Sequence, residues 1–283
     1  MFPTPIEKTS RPTQWLYKLV LPLSILVWLA PILAVALISA RGQADLIAGN
    51  YWGLPTEWKL AENYTAVFTN TPILRYIANS FMVTIPAVIG AVALSCLAGF
   101  ALGVYRFKFN LLVFFIFVGG NFVPFQILMV PVRDLSLQLG LYNTVTGLVL
   151  FHVAFQTGFC TFFMRNFIRE LPSELIDAAR VEGATEFQIF WRVVLPLVRP
   201  ATAALAVLIF TFIWNDYFWA TVLVQGEHAM PVTGGLKTLS GQWVAQWQLI
   251  SAGSIVAALP PVAIFFLMQK HFIAGLTMGA TKG

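Results

Sequence analysis

ELIDAARVEGATEFQIFWRVVLP, residues 174–196, is a polar, charge-studded stretch inside an otherwise oily chain. Its turn chemistry predicts two short helices around a sharp corner. Leu171-Pro172-Ser173 ends whatever helix precedes it, because proline disfavours α geometry at the residue before it and lacks an N–H to continue. Ser173 is placed to cap a new helix, with Glu174 and Asp177 favourably set in its first turns. Gly183 supplies the left-handed position that stops this helix after about Glu182. Thr185 with Gln188 fits a T-x-x-Q capping box, so a second helix starts at once. Pro196 is expected to end it, and Pro200 to restart the chain as an apolar helix.

The surroundings of this stretch fix the fold class. Of the 283 residues, 58% are apolar and only 10% are charged, against about 25% charged in an ordinary soluble domain. So few charges cannot cover a water-facing surface, and the chain reads as an all-α integral membrane protein of one domain. Six stretches are apolar and long enough to span: 19–39, 78–104, 110–132, 144–164, 201–224 and 250–269. The first is about twice the length of a signal-peptide core, so it reads as an uncleaved helix.

Lysines and arginines orient these spans. With the amino terminus in the cytoplasm, the inner segments hold twelve basic residues, from Lys8 to Lys282, and the outer segments five: Arg41, Lys59, Arg75, Arg133 and Lys237. The charged segment 171–196 and the tail 270–283 then both lie inside. Along the second span, Ala87, Ala91, Ser95, Gly99 and Gly103 recur every four residues and make one stripe of small side chains. Packing inside the same bundle is the favoured reading of that stripe.

Several chemistries are excluded by pattern. Cys96 and Cys160 both lie in apolar runs and offer no metal-ligand spacing. His152, His228 and His271 are scattered, so no metal site is expected. Gly234-Gly235-Leu236-Lys237-Thr238 lacks the glycine–lysine adjacency of a phosphate loop, so this chain does not hydrolyse ATP itself. The basic balance of +5 is topological and not a nucleic-acid signal.

Within the quoted stretch, Ala178 and Ala179 are the informative pair. Small side chains let a helix press into a groove on another protein, and Asp177, Arg180 and Glu182 would orient it at the rim. A helix lying on the membrane surface would need a wider apolar face and more uniformly basic charge.

At these residues the chain resembles the permeases of binding-protein-dependent ABC importers. Their cytoplasmic loop follows E-A-A, three residues, G, nine residues, I-x-L-P. Here Asp177-Ala178-Ala179, Gly183 and Val193-x-Leu195-Pro196 keep every spacing, with Asp177 and Val193 as conservative departures. Asn79-Ser80, Trp214-Asn215-Asp216 and the tail from Gln269-Lys270-His271-Phe272 through Gly275-Leu276-Thr277 to Lys282-Gly283 resemble the carbohydrate-uptake branch, in particular the maltose-type second permease subunit. The resemblance covers nearly the whole chain. It implies the type I importer fold, with six transmembrane helices in a bacterial inner membrane, both termini cytoplasmic, and a cytoplasmic coupling helix.

The resemblance also implies partners and sites. Glu174, Asp177, Ala178, Ala179, Arg180, Glu182, Gly183 and Ala184 would seat in a cleft of a cytoplasmic ABC ATPase, present in two copies, where ATP and Mg would bind. No cofactor is expected in this chain. A second permease subunit would complete a heterodimer, and an extracytoplasmic solute-binding protein would deliver the sugar. The tail would enter the ATPase dimer interface.

Asp216 is the ionisable residue well inside a span, and placing a carboxylate there costs about 2.5–3.5 kcal/mol on insertion scales. It faces either a sugar pathway, with Trp214 and Asn215, or a helix contact that it pins. Trp243 and Trp247 are four apart and either dock the binding protein or belong to the interfacial aromatic belt. The alternative to an ATP-driven importer is an ion-coupled secondary carrier with Asp216 as relay; a membrane-embedded enzyme ranks last, since no nucleophile–base set appears.

Overall fold

The computed structural model describes residues 10–240 and 245–278. Among them the secondary structure is helical, apart from one isolated bridge between Arg41 and Trp58. The chain divides into two compact units, Met1–Thr71 with Leu239–Val256, and Pro72–Thr238 with Ala257–Gly283.

The first unit contains α1 (Arg11–Ser39), α2 (Gln43–Ile47) and α3 (Leu60–Thr69). α1 carries Pro22 and Pro31 inside an apolar helix and buries only Ser39 along its length. After it, the chain is fastened by polar bonds. Arg41, fully buried, donates to the Asn50 carbonyl at 2.8 Å and to that of Gly53, and lies 3.8 Å from Asp45. Asp45 in turn accepts from the Thr56 hydroxyl at 2.6 Å and its amide at 2.9 Å. Those two bonds, the hydroxyl first, hold the Asp45 carboxyl below the usual carboxylate range.

The second unit is built on α4 (Ile73–Val104), α5 (Asn110–Gly119), α6 (Met129–Gln138) and α7 (Val145–Arg169). The small-residue stripe explains how α4 and α7 meet. A Cβ on Gly99 would stand 2.9 Å from the Arg165 amide nitrogen, and one on Gly103 3.2 Å from Ile168. The Ser95 hydroxyl donates to the Ala91 carbonyl at 2.5 Å and reaches toward that of Thr157 at 3.4 Å. The backbones approach because nothing larger intervenes, and dispersion contacts hold them.

The segment at the corner then follows as α8 (Ser173–Val181), α9 (Glu186–Ile189), a π-helical turn over Phe190–Val194, α10 (Leu195–Leu197) and α11 (Arg199–Trp214). The unit closes with α12 (Phe218–Leu223) and α13 (Val232–Leu236). The last helix, α14 (Trp247–Met278), contributes its residues up to Val256 to the first unit and those from Ala257 to the second, and carries Pro260-Pro261.

Among the described residues, four helices are long and apolar enough to cross a membrane: Arg11–Ser39, Ile73–Val104, Val145–Arg169 and Trp247–Lys270. The pair Glu186–Leu197 and Arg199–Trp214, bent by 75°, adds a fifth if taken as one span. The expected third span, 110–132, is not one helix. It is α5, a 3₁₀ turn over Gly120–Phe122, an extended Val123 and a turn before α6. Pro124 explains the break, since it pushes the preceding residue out of α geometry and has no N–H to donate. The expected span 201–224 is likewise interrupted between Trp214 and Phe218, where Asn215 and Asp216 bond their own neighbourhood. The final helix reaches Met278, beyond the expected start of the tail at 270.

Candidate functional site

The corner at 173–197 assembles as its residues dictate, with two corrections. Ser173 is the first helical residue of α8 and makes no cap bond; Pro172 occupies the cap position. A proline there loses nothing, because the first amides of a helix have no intrahelical partner. Pro196 does not end the second helix, which continues to Leu197. The helix absorbs it by widening into the π turn, with the Leu195 amide donating to the Phe190 carbonyl five residues back.

The stop of α8 is a Schellman arrangement. Gly183 has φ +81°, its amide donates to Arg180 O at 3.0 Å, and the Ala184 amide donates to Ala179 O at 3.0 Å. The capping box then restarts the chain: Gln188 N donates to Thr185 Oγ1 at 3.3 Å, and Thr185 N to Gln188 Oε1 at 2.9 Å.

A charged clamp sets the angle between the two short helices. The Arg180 guanidinium donates to Glu186 at 2.9 and 3.3 Å and to Asp177 Oδ1 at 3.2 Å. The Tyr105 hydroxyl, at the end of α4, donates to Glu186 Oε2 at 2.5 Å. The Arg180 hydrogen bonds, then that of Tyr105, hold the Glu186 carboxyl below its ordinary range. Burial, and secondly Glu186, pushes the Tyr105 hydroxyl up to about 12. Of the residues expected to face a partner, Glu174, Asp177, Ala178, Arg180, Glu182 and Gly183 are exposed, and Ala179 and Ala184 are half-buried. Val181, Phe187 and Trp191 add exposed apolar surface beside them. Ile176 and Ile189 turn inward.

A second constellation lies at the break between α11 and α12. A cavity of about 530 Å³ is walled by Phe151, Phe155, Tyr217, Phe218 and Trp219, with Asn121, Gln156, His152, Asn215 and Asp216 as its polar points. The Asp216 carboxylate accepts the Trp219 and Ala220 amides at 3.3 and 3.1 Å, capping α12 as it begins, and lies 3.7 Å from His152 Nε2. Asn215 donates back to the Thr211 carbonyl at 2.9 Å. Both side chains therefore shape the break and face the cavity.

Trp214 does not join them. It is buried against Phe81 and Phe210, and its Nε1 donates to the Ala257 carbonyl at 3.0 Å, which makes it a packing residue. The signal that would have found the missing wall is the i, i+4 spacing of Phe151, Phe155 and Phe159 on α7.

Asn79 and Ser80 also acquire a physical role. Asn79 Nδ2 donates to the Met230 carbonyl at 3.0 Å and to that of Glu227 at 3.3 Å, and Ser80 Oγ accepts the Val232 amide at 2.8 Å. They tie the loop before α13 onto α4. Trp247 is exposed at the start of α14, while Trp243 and the tail residues 279–283 lie outside the described residues.

Residues 91–278, two-thirds of the chain and including both constellations, match the family described as binding-protein-dependent transport system inner membrane component. The chain belongs to this family. It is a multi-pass, inner-membrane permease component of an ABC importer, and not an ion-coupled secondary carrier. Hydrolysis of ATP belongs to a separate subunit.

The permease is 34% identical over 284 residues to the arabinooligosaccharides transport system permease protein AraQ of Halalkalibacterium halodurans, covering 98% of this chain and 99% of that one. It is 32% identical over 287 residues to the osmoprotective compounds uptake permease protein GgtD of Synechocystis sp., covering 98% and 96%. Among solved structures it is similar in fold to a chain of a bacterial ABC transporter involved in the import of the acidic polysaccharide alginate, with TM-score 0.79 at 23% identity, covering 93% of this chain and 99% of that one.

Proposed function

We propose that this permease is one half of a heterodimeric pathway for a sugar or sugar derivative handed over by an extracytoplasmic binding protein. Two copies of a cytoplasmic ATPase, which hold the ATP and Mg, drive it. Both termini and residues 171–196 lie in the cytoplasm, with the chain crossing six times. The single observation that carries the substrate class is the cavity at the break of the fifth span. Its aromatic planes suit the C–H faces of a pyranose, and its amides and carboxylate match hydroxyl groups. The name of AraQ, an arabinooligosaccharides transport system permease, agrees with that class.

Residues 173–184 are the coupling element, seated in a groove of the ATPase. The left-handed Gly183 and the exposed Ala178 keep the backbone bare where it must be approached. Trp247, with Trp243, belongs to the outer loop that meets the binding protein, and the tail 270–283 engages the ATPase pair.

Reconstitution of the purified complex in liposomes tests this reading. ATP hydrolysis stimulated by the loaded binding protein is expected, and uptake should persist when the proton gradient is collapsed. Gly183→Leu should abolish uptake while insertion stays normal. Wild-type uptake in that variant removes the coupling role, and uptake without ATP removes the importer reading.

A further inference from the structure

A further cavity in the second unit borders the clamp, sharing Tyr105, Asp177 and Arg180 with it, and extends away from it along the helix ends. It has a volume of about 1030 Å³ and opens beside α8, where the ends of α4 and α7 meet the start of α5. Five basic side chains line it. Arg180 is satisfied by Asp177 and Glu186. The other four, Arg106, Lys108, Arg165 and Arg169, make no ion pair among the described residues.

Arg165 is the informative one. It is 8% exposed. Its Nε donates to the Leu102 carbonyl at 3.2 Å, and its guanidinium carbon lies 3.9 Å from the Phe114 ring centre. No described acceptor takes its two Nη groups, and Arg165 is among the residues that line the cavity. A guanidinium held by its Nε and by an aromatic ring, with its Nη groups still accessible, presents a fixed fork to a forked, oxygen-rich anion. The cavity therefore has a built place for an anion, with Arg106, Lys108 and Arg169 around its rim.

We propose that this cavity binds the phosphate headgroup of an anionic phospholipid from the leaflet that faces residues 173–197. Phosphate is the chemistry that a guanidinium fork and a ring of cations recognise, and both a lipid and free phosphate carry it. The surroundings favour the lipid. The site stands where the ends of the apolar spans α4 and α7 meet the start of the apolar helix α5, and Leu111, which lines it, begins an exposed apolar row on α5. Phe115, four residues on and 57% exposed, continues the row. That row offers an acyl chain a track leading from the headgroup, which free phosphate would not use. The proposal rests on membrane embedding alone and not on the sugar or the ATPase.

Native mass spectrometry of the intact complex in detergent tests it, with phosphatidylglycerol, phosphatidylcholine of the same chains, and inorganic phosphate as probes. One phosphatidylglycerol should remain on the permease under conditions that strip phosphatidylcholine, and millimolar phosphate should not displace it. The double variant Arg106→Gln/Arg169→Gln alters exposed side chains and leaves Arg165 in its packing. It should weaken retention about tenfold, since each cation near an anionic headgroup contributes measurably. Arg165→Lys, which keeps the charge and removes the fork, should weaken it less.

Equal retention of both lipids, or unchanged retention in the double variant, overturns the proposal. Displacement by phosphate alone would assign the site to a soluble anion instead. Loss of a co-purifying protein from the double variant without loss of lipid would assign it to an acidic partner surface. If no ATPase accompanies the permease, the coupling reading fails while the lipid measurement stands.

Discussion

Asp216 carries two roles that substitutions can separate. Its carboxylate caps α12 through Trp219 and Ala220, and it faces the aromatic cavity. Loss of such a cap costs about 1 kcal/mol, while asparagine keeps an acceptor oxygen. Asp216→Ala should therefore lower uptake about tenfold or more by displacing Trp219, and Asp216→Asn should stay within about threefold. Sugar uptake by reconstituted complex measures both; equal loss in the two would place the negative charge itself in the pathway.

At the corner, Glu186 gives a pH dependence of definite sign. Its depressed carboxyl means that the clamp contributes fully above the unperturbed value of 4.5 and fades as pH falls through the lowered one. Tyr105 works in the other direction, contributing below its ordinary 10.0 and fading as pH rises through about 12. The clamp is complete in between. Because the pair is partly exposed, its contribution stays below about 1 kcal/mol. Glu186→Gln at pH 7 should then speed amide exchange at Gly183 and Ala184 about two- to fivefold, corrected for intrinsic rates. Protection unchanged from wild type would mean that the backbone caps alone hold the corner.

At the scale of elements, the same residue type does opposite things on two apolar helices. A Cβ on Gly99 would press into the backbone of Met164 and Arg165, whereas one on Gly119 meets nothing within 4 Å. Gly99→Val should cost about 1–3 kcal/mol of stability through overpacking. Gly119→Ala should be neutral or stabilise by up to about 1 kcal/mol, since its backbone is already helical. Thermal unfolding of the two variants in detergent decides, and parallel losses would mean that the α4–α7 contact is not set by its small residues.

The stripe behind this contrast was legible in the sequence because close helix approach needs small side chains at a fixed spacing. The capping box at Thr185 and the stop at Gly183 were legible for a similar reason: each is a local rule satisfied within five residues. What escaped was chemistry that depends on context. Pro196 is a helix breaker in isolation, yet a π turn accommodates it. Trp214 read as a pathway residue because of its neighbours Asn215 and Asp216, but on a helix it points elsewhere, into Phe81 and Phe210. Gly235, set aside as a false phosphate loop, turns out to lie against the Tyr76 ring, where a Cβ would collide at 2.1 Å.

For the whole molecule, the broken segments decide the number of crossings. Among the described residues, hydropathy and length give four continuous spans and a bent fifth, and the interrupted stretch 110–138 supplies the remaining candidate. With the amino terminus in the cytoplasm, as the twelve-to-five reading of the basic residues expects, that stretch has to cross once, because otherwise 145–169 would run in the opposite direction. The two native cysteines are buried, so the wild-type chain provides a silent background for labelling. Single cysteines at exposed Trp52, Leu139 and Glu227 should react with a membrane-impermeant maleimide added outside intact cells. Cysteines at exposed Lys108 and Glu182 should react only after the membrane is opened. Protection of position 139 together with labelling of position 182 would make 110–138 a re-entrant segment. That outcome would move residues 173–197 to the outer face and remove the physical basis for the coupling role proposed for them.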